Sequence, residues 1–131
     1  MKVRVKGLDR FYCAARCGGH EVPMDQPRDY GGGDRAPEPV ALLGASLGGC
    51  IYSSLVAFLE RRGLRPEETE VDVEMIKAGD PGRIGTFRVG LKLPAGMKEE
   101  WRSAALRLAT SCSVHGTFTM PVEVEVEILS P

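Results

Sequence analysis

The chemistry-bearing residues of this chain are its four thiols, Cys13, Cys17, Cys50 and Cys112. Cys50 lies inside Val40 to Leu59, VALLGASLGGCIYSSLVAFL, a stretch without a single charge. A thiol there is either a small core filler, the ordinary role of a buried cysteine, or a reactive centre the fold is built to hold. Three features favour chemistry. Cys50 follows Gly48-Gly49, which let backbone or ligand come close. A long loop containing Gly31-Gly32-Gly33 enters just before it. Cys112 ends the apolar stripe of a second predicted helix, so two packed helices could bring two sulfurs together. In such a pair one thiolate attacks an electrophile, and the other resolves the sulfenic acid into a disulfide.

The attacking sulfur must be a thiolate, and burial alone raises its pKa. Helix-dipole help fades within the first turn, and Cys50 is about three turns into a helix that starts near Pro39. A cation is therefore expected from elsewhere. Arg10, Arg16, Arg28 and Arg35 are on offer, and a guanidinium keeps its charge in a dry site. Any one of them is otherwise a solvated surface charge. Cys13 and Cys17 with His20 make a weak metal pattern that lacks two further ligands; these read better as surface or core thiols. Cys112-Ser-Val-His115 could set an imidazole beside the second thiol, although a polar loop histidine is the commoner reading. The glycine triplet precedes no lysine and opens no strand–loop–helix unit, so it is no phosphate loop.

The elements that must position these groups follow from periodicity. Residues 2–7 alternate charge and apolar, with Val3 and Val5 on one face, which predicts a half-buried strand. Arg10 to Ala15 and His20 to Met24 continue it as an antiparallel meander with turns at Gly7–Asp9 and Gly18-Gly19. Pro23 to Pro39 is a proline-punctuated loop, and loops that long are usually functional or mobile. Val40 to Leu59 is the central helix, started at Pro39 and stopped at Gly63. A helix apolar all round must be buried on all sides. Glu70 to Lys77 and Thr86 to Leu93 alternate as a hairpin with Asp80-Pro81-Gly82 as its turn. Met97 to Cys112 is a second helix with Trp101, Ala104, Ala105, Leu108 and Cys112 on one face. Ser113 to Met120 is a loop. Val122 to Ile128 is a last strand, valines and isoleucine inward, Glu123, Glu125 and Glu127 outward. The order is α+β with one-sided sheets.

A chain of 131 residues is expected to be one domain, 1–131, with one core. The net charge of −1 gives no general attraction to nucleic acid or anionic membrane. MKVRVKGLDRF lacks the apolar run of a signal peptide, so a cytoplasmic location with reduced thiols is expected. The uncharged stretch is long enough to span a bilayer, but its glycines and serines lower its hydropathy, and the one-sided strands need it as their cover.

Several segments together resemble the OsmC/Ohr family, across nearly the whole chain. PVALLGASLGGC, Pro39 to Cys50, is similar to that family's P-x-E-L-L-L-A-A-L-G-G-C segment. Gly19-His20-Glu21-Val22 followed by Met24-Asp25-Gln26-Pro27 resembles its third strand. Ser111-Cys112-Ser113-Val114-His115-Gly116-Thr117 resembles its second cysteine motif, usually C-P-V-H, and Val122 to Ile128 its closing strand. The resemblance implies an OsmC-like fold and an intertwined homodimer with two central helices at its heart. It implies reduction of organic hydroperoxides, with Cys50 peroxidatic and Cys112 resolving, and a dithiol or lipoyl-type reductant. No metal or bound cofactor, no nucleic acid and no membrane are implied. An arginine from the early meander activates the first thiol in that family, and a glutamate at the start of the central helix holds it. Arg10 is the first choice here and Arg35 the second. The glutamate's usual place is held by Ala41 or Val40, and Glu38 lies two or three residues earlier. Two other roles stay open: a module that binds a hydrophobic small molecule beside Cys50 with catalysis lost, and a scaffold in which both thiols are inert.

Overall fold

The structure is a computed structural model that describes residues 1–80 and 82–131. It is α+β, with five strands and three α-helices among the described residues. Its contacts group the residues into two compact units, Met1–Ala45 and Ser46–Pro131.

In the first unit β1 (Val3–Asp9), β2 (Tyr12–Cys17) and β3 (His20–Met24) form an antiparallel sheet in that order. Val5 pairs with Ala15 and Ala15 with Val22, so alternation gathers the small apolar residues on one face. The first turn lies later than the sequence suggested. Asp9 pairs with Tyr12 across Arg10-Phe11, and Arg10 takes φ 56°. A tight two-residue hairpin needs a positive φ at its first central position, and a register shift between Gly7 and Asp9 absorbs the extra residue. The proline-rich loop contains a 3-10 turn, Arg28–Tyr30, and is tied back on itself. Asp25 N–H donates to Pro37 O (3.1 Å), Gly32 N–H to Pro27 O (3.1 Å) and Asp34 N–H to Gln26 O (3.1 Å). A Cβ on Gly32 would collide with the Gln26 carbonyl, so this bend requires glycine.

Helix α1 (Pro39–Glu60) carries the core of the second unit. Leu47, Ile51, Leu55 and Leu59 recur every four residues and are buried, with Ala105, Ala109 and Cys112 against them. Gly63 closes the helix at φ 70°, with Leu64 N–H donating to Leu59 O at 3.1 Å. The hairpin of β4 (Glu70–Ala78) and β5 (Arg83–Lys92) pairs Val73 with Val89 and Met75 with Phe87. Val73 reaches within 3.3 Å of where a Cβ on Gly48 would stand, so this glycine lets hairpin and helix approach. The turn expected at Asp80-Pro81-Gly82 includes Pro81, which lies outside the described residues.

Four expectations are corrected. The central helix is not buried on all sides: only a third of its most apolar window is covered, and Val40 and Leu43 are exposed. Its buried side chains, Leu47, Ile51, Leu55 and Leu59, form one stripe, so one face of the helix meets the core of the second unit. The helix also meets the length and apolarity of a membrane span. The second helix, α2, runs only Glu99–Ala109. Thr110 and Ser111 hydroxyls donate to Arg107 O (2.9 Å) and Leu108 O (2.8 Å) and take up carbonyls the next turn would have used. Ser113–Thr119, expected as loop, is a third helix, α3. Finally, Val122 to Ile128 forms no strand in this chain. A strand needs an edge to pair with, and among the described residues no strand hydrogen-bonds to it.

Candidate active site

Cys50 and Cys112 are brought together. Cys50 is on α1, half-buried, and packs against the core cluster that contains the buried Cys112. Cys112 belongs to neither long helix. It is the N-cap of α3, with extended backbone (φ −72°, ψ 151°), and its Sγ accepts from His115 N–H at 3.3 Å. Sulfur here takes the place of the oxygen that usually caps a helix.

That cap sets the electrostatics of the pair. The Val114 amide at the start of α3 is the chief influence on Cys50 and holds its thiol below the ordinary value. Burial opposes it, while the Cys112 thiol and the Ser113 amide add donors in the same direction. Burial pushes Cys112 up instead, and the neighbouring Cys50 pushes it further. Two neighbouring thiols are thus driven apart: one toward the thiolate, the other toward the protonated donor. Perturbed pKa values of this kind cluster at functional sites. The amide donors to Cys50, Val114 and Ser113, sit on α3, where the sequence predicts a loop. Their only signal was the pair of backbone amides that must follow any N-cap residue.

The other named residues lie in the first unit. The Arg10 guanidinium is exposed, donates to Gly31 O at 3.1 Å and lies over the Phe11 ring. Arg35 is held from three sides. Its Nη2 meets Asp9 Oδ2 at 3.2 Å, its Nε stands 3.7 Å from Asp25 Oδ2, and its guanidinium carbon lies 4.0 Å from the Tyr12 ring centre. Asp25 is only 2% exposed. Burial pushes its carboxyl up, but the amides of Arg35, Gln26 and Gly33 and the Arg35 charge outweigh this, and its pKa falls below the usual value. Two of these bonds are direct, Gln26 N–H to Oδ1 at 2.8 Å and Arg35 N–H to Oδ2 at 3.1 Å. Arg10 and Arg35 line one small polar cavity of about 150 Å³ with Asp9 and Asp25. Glu38 is not part of it, and among the described residues its carboxylate has no hydrogen-bond or ion-pair partner. The aspartates that hold Arg35 escaped the sequence reading; Asp25 was visible only as a letter in Met-Asp-Gln-Pro.

Cys13 and Cys17 lie on β2, Cys17 opposite His20. Among the described residues no group of three or more His, Cys, Asp or Glu side chains could hold a metal ion. The second unit also contains an open apolar cavity of about 470 Å³, lined by Leu47, Ile51, Phe87, Leu91, His115 and Phe118 among others. Phe87 and Phe118 stack there with centroids 4.8 Å apart.

Two neighbouring thiols set between a long apolar helix and a short capped one, on an α+β chain, define the class of fold. The sequence pattern of the OsmC-like protein family matches residues 31–127, both cysteines included, and the chain belongs to that family. Solved structures share the fold. A Psychrobacter arcticus protein is similar at a TM-score of 0.80 and 19% identity, over 89% of this chain and 87% of that one. The organic hydroperoxide resistance protein OsmC of Legionella pneumophila gives 0.60 and 18%, over 89% and 87%. The organic hydroperoxide resistance protein OhrB of Bacillus subtilis gives 0.52 and 19%, over 88% and 87%. No curated protein matches the sequence.

Proposed function

We propose that this chain is a thiol peroxidase that reduces organic hydroperoxides, with Cys50 attacking and Cys112 resolving. The carrying observation is the packing of Cys50 against the core cluster that contains Cys112 at the N-cap of α3, where the neighbouring amides lower the Cys50 thiol and burial raises Cys112. Family membership and the hydroperoxide-resistance names of two fold relatives support the same chemistry. In the first step the Cys50 thiolate attacks the distal peroxide oxygen. The O–O bond breaks, the alkoxide leaves and takes a proton, and Cys50 becomes a sulfenic acid. The Cys112 sulfur then attacks Cys50, water leaves, and a disulfide forms. A dithiol or lipoyl-type reductant restores both thiols and is itself oxidised. The chain works as a homodimer in the cytoplasm, without metal, bound cofactor, nucleic acid or membrane.

The activating guanidinium that the family resemblance implies falls to Arg35 ahead of Arg10, because Asp9, Asp25 and Tyr12 fix it. Those aspartates take the place of the missing helix-start glutamate, which leaves Glu38 without that duty. In a hydroperoxide-consumption assay with cumene hydroperoxide and dihydrolipoamide, the wild type turns over. Cys50→Ser is inactive, and Cys112→Ser loses lipoyl-dependent turnover. A wild type that consumes no hydroperoxide overturns the proposal.

One observation favours a second reading, a carrier of an apolar small molecule: the 470 Å³ apolar cavity beside Ile51. The pH dependence of Cys50 alkylation by iodoacetamide separates the two. An ordinary thiol profile belongs to the carrier, and a lowered one to the peroxidase.

A further inference from the structure

The sequence of α3, SVHGTFT, has little helical preference of its own. Glycine, the β-branched residues and phenylalanine rank low in helix propensity, and a helix of one or two turns is marginal in water by itself. None of its seven residues is fully buried, although Val114 packs in part against the core. The helix therefore depends on what holds its two ends.

At the C-terminal end Phe118 stacks on Phe87 of β5, with centroids 4.8 Å apart and 14° between planes. At the N-terminal end the first amides turn to sulfur. His115 N–H donates to Cys112 Sγ at 3.3 Å, and the Ser113 and Val114 amides are donors to Cys50. Both sulfurs are the ones the proposed chemistry joins. In the disulfide the two lie about 2.05 Å apart, so the Cys112 sulfur is drawn toward Cys50 and away from His115. Cys50 no longer carries a charge, and its two amides lose a charge-assisted acceptor for a weak neutral one. What remains at that end is the partial packing of Val114. The cost falls on the apolar cavity, because His115, Phe118 and Thr119 of α3 form one side of it, facing Leu47, Ile51 and Phe87.

We infer that α3 is a redox-sensitive latch: the dithiol form holds residues 113–119 as a helix, and the Cys50–Cys112 disulfide releases them, freeing Phe118 from Phe87 and removing one wall of the apolar cavity. This rests on the Cys50–Cys112 pair of the proposed function and adds what oxidation of that pair does to the fold.

The test is amide exchange on the full chain, followed by mass spectrometry, in two states. One is kept reduced with a phosphine. The other is oxidised with diamide, whose diazene takes one hydrogen from each thiol and becomes the hydrazine. Diamide forms the disulfide without any peroxidase activity, and peptide mapping verifies the Cys50–Cys112 link. In the oxidised chain the amides of residues 114–119 exchange about tenfold faster, the loss that goes with a helix cap and its charge-assisted bonds. Residues 47–59 of α1 keep their protection. Cys50→Ser, treated alike, keeps the reduced-state rates throughout. Equal rates for 114–119 in the two states, with the link verified, overturn the latch and leave the peroxidase reading standing. Faster exchange across α1 as well, or the same change in Cys50→Ser, also overturns the latch. A chain in which diamide does not link Cys50 to Cys112 overturns the thiol pair and the latch together. Should Cys50→Ser fail to fold, the two wild-type states decide alone.

Discussion

Ser113→Pro removes one amide donor from beside Cys50. The Ser113 amide is among the donors that hold Cys50 toward the thiolate, and proline removes that N–H. The backbone tolerates the change. Ser113 is the first residue of α3, where proline is favoured. Cys112 before it already has the extended φ −72°, ψ 151° that a following proline demands. A hydrogen bond to a charged group is worth about 1.5–3 kcal/mol. Cys50 is half-buried, so water can replace part of the bond and the lower end applies. The Ser113 amide is the last of the influences on Cys50, so the thiolate fraction at a pH below the transition falls by less than about tenfold, and the alkylation rate by iodoacetamide falls with it. Ser113→Ala keeps the amide and should alkylate like the wild type. Equal rates for Ser113→Pro, Ser113→Ala and wild type, with unchanged circular dichroism, would refute an α3-based activation of Cys50.

Cys112→Ala removes a donor to Cys50 while Cys112→Ser keeps a hydroxyl and a good N-cap; the onset of Cys50 alkylation with pH should therefore lie higher in the alanine variant. Asp25 has a lowered folded-state pKa, so it contributes stability above the unfolded carboxyl value, and that contribution is lost as pH falls through the lowered one. Acid titration of thermal unfolding should show this loss in the wild type and not in Asp25→Asn, which starts less stable at neutral pH. Leu55, 0% exposed at the centre of the α1 stripe, should cost about 3–5 kcal/mol on truncation to alanine, read from urea unfolding. Gly32→Ala should destabilise the first unit through the Gln26 carbonyl, visible as faster proteolysis of the 25–37 loop.

Strong periodicity made most elements readable. The valines of β1 and β4 alternate cleanly, and α1 begins at Pro39 and closes at Gly63 as its sequence suggests. What failed were local contests that periodicity does not register. Thr110 and Ser111 interrupt a helical pattern by bonding backward, which moves Cys112 from the end of one helix to the cap of the next. Residues 122–128 show a real period of two, but a strand is a property of a pair. Their pattern names a face without naming its partner. At the site, the two cysteines were legible by type and spacing. Apart from the Cys112 thiol, the donors to Cys50 are backbone amides, which every residue but proline has, so no letter marks them. Arg35 is one of the four candidate guanidiniums of the meander and loop; only the fold sets it between Asp9 and Asp25.

The central claim is that Cys50 and Cys112 of one chain form a working redox pair. Peptide mapping without reductant, after one equivalent of cumene hydroperoxide, tests it directly. The account predicts a single linked species that joins the Cys50 and Cys112 peptides, lighter than the reduced pair by two hydrogens, with Cys13 and Cys17 still alkylatable. Free Cys50 after that treatment, or a disulfide through Cys13 or Cys17 in its place, would contradict it.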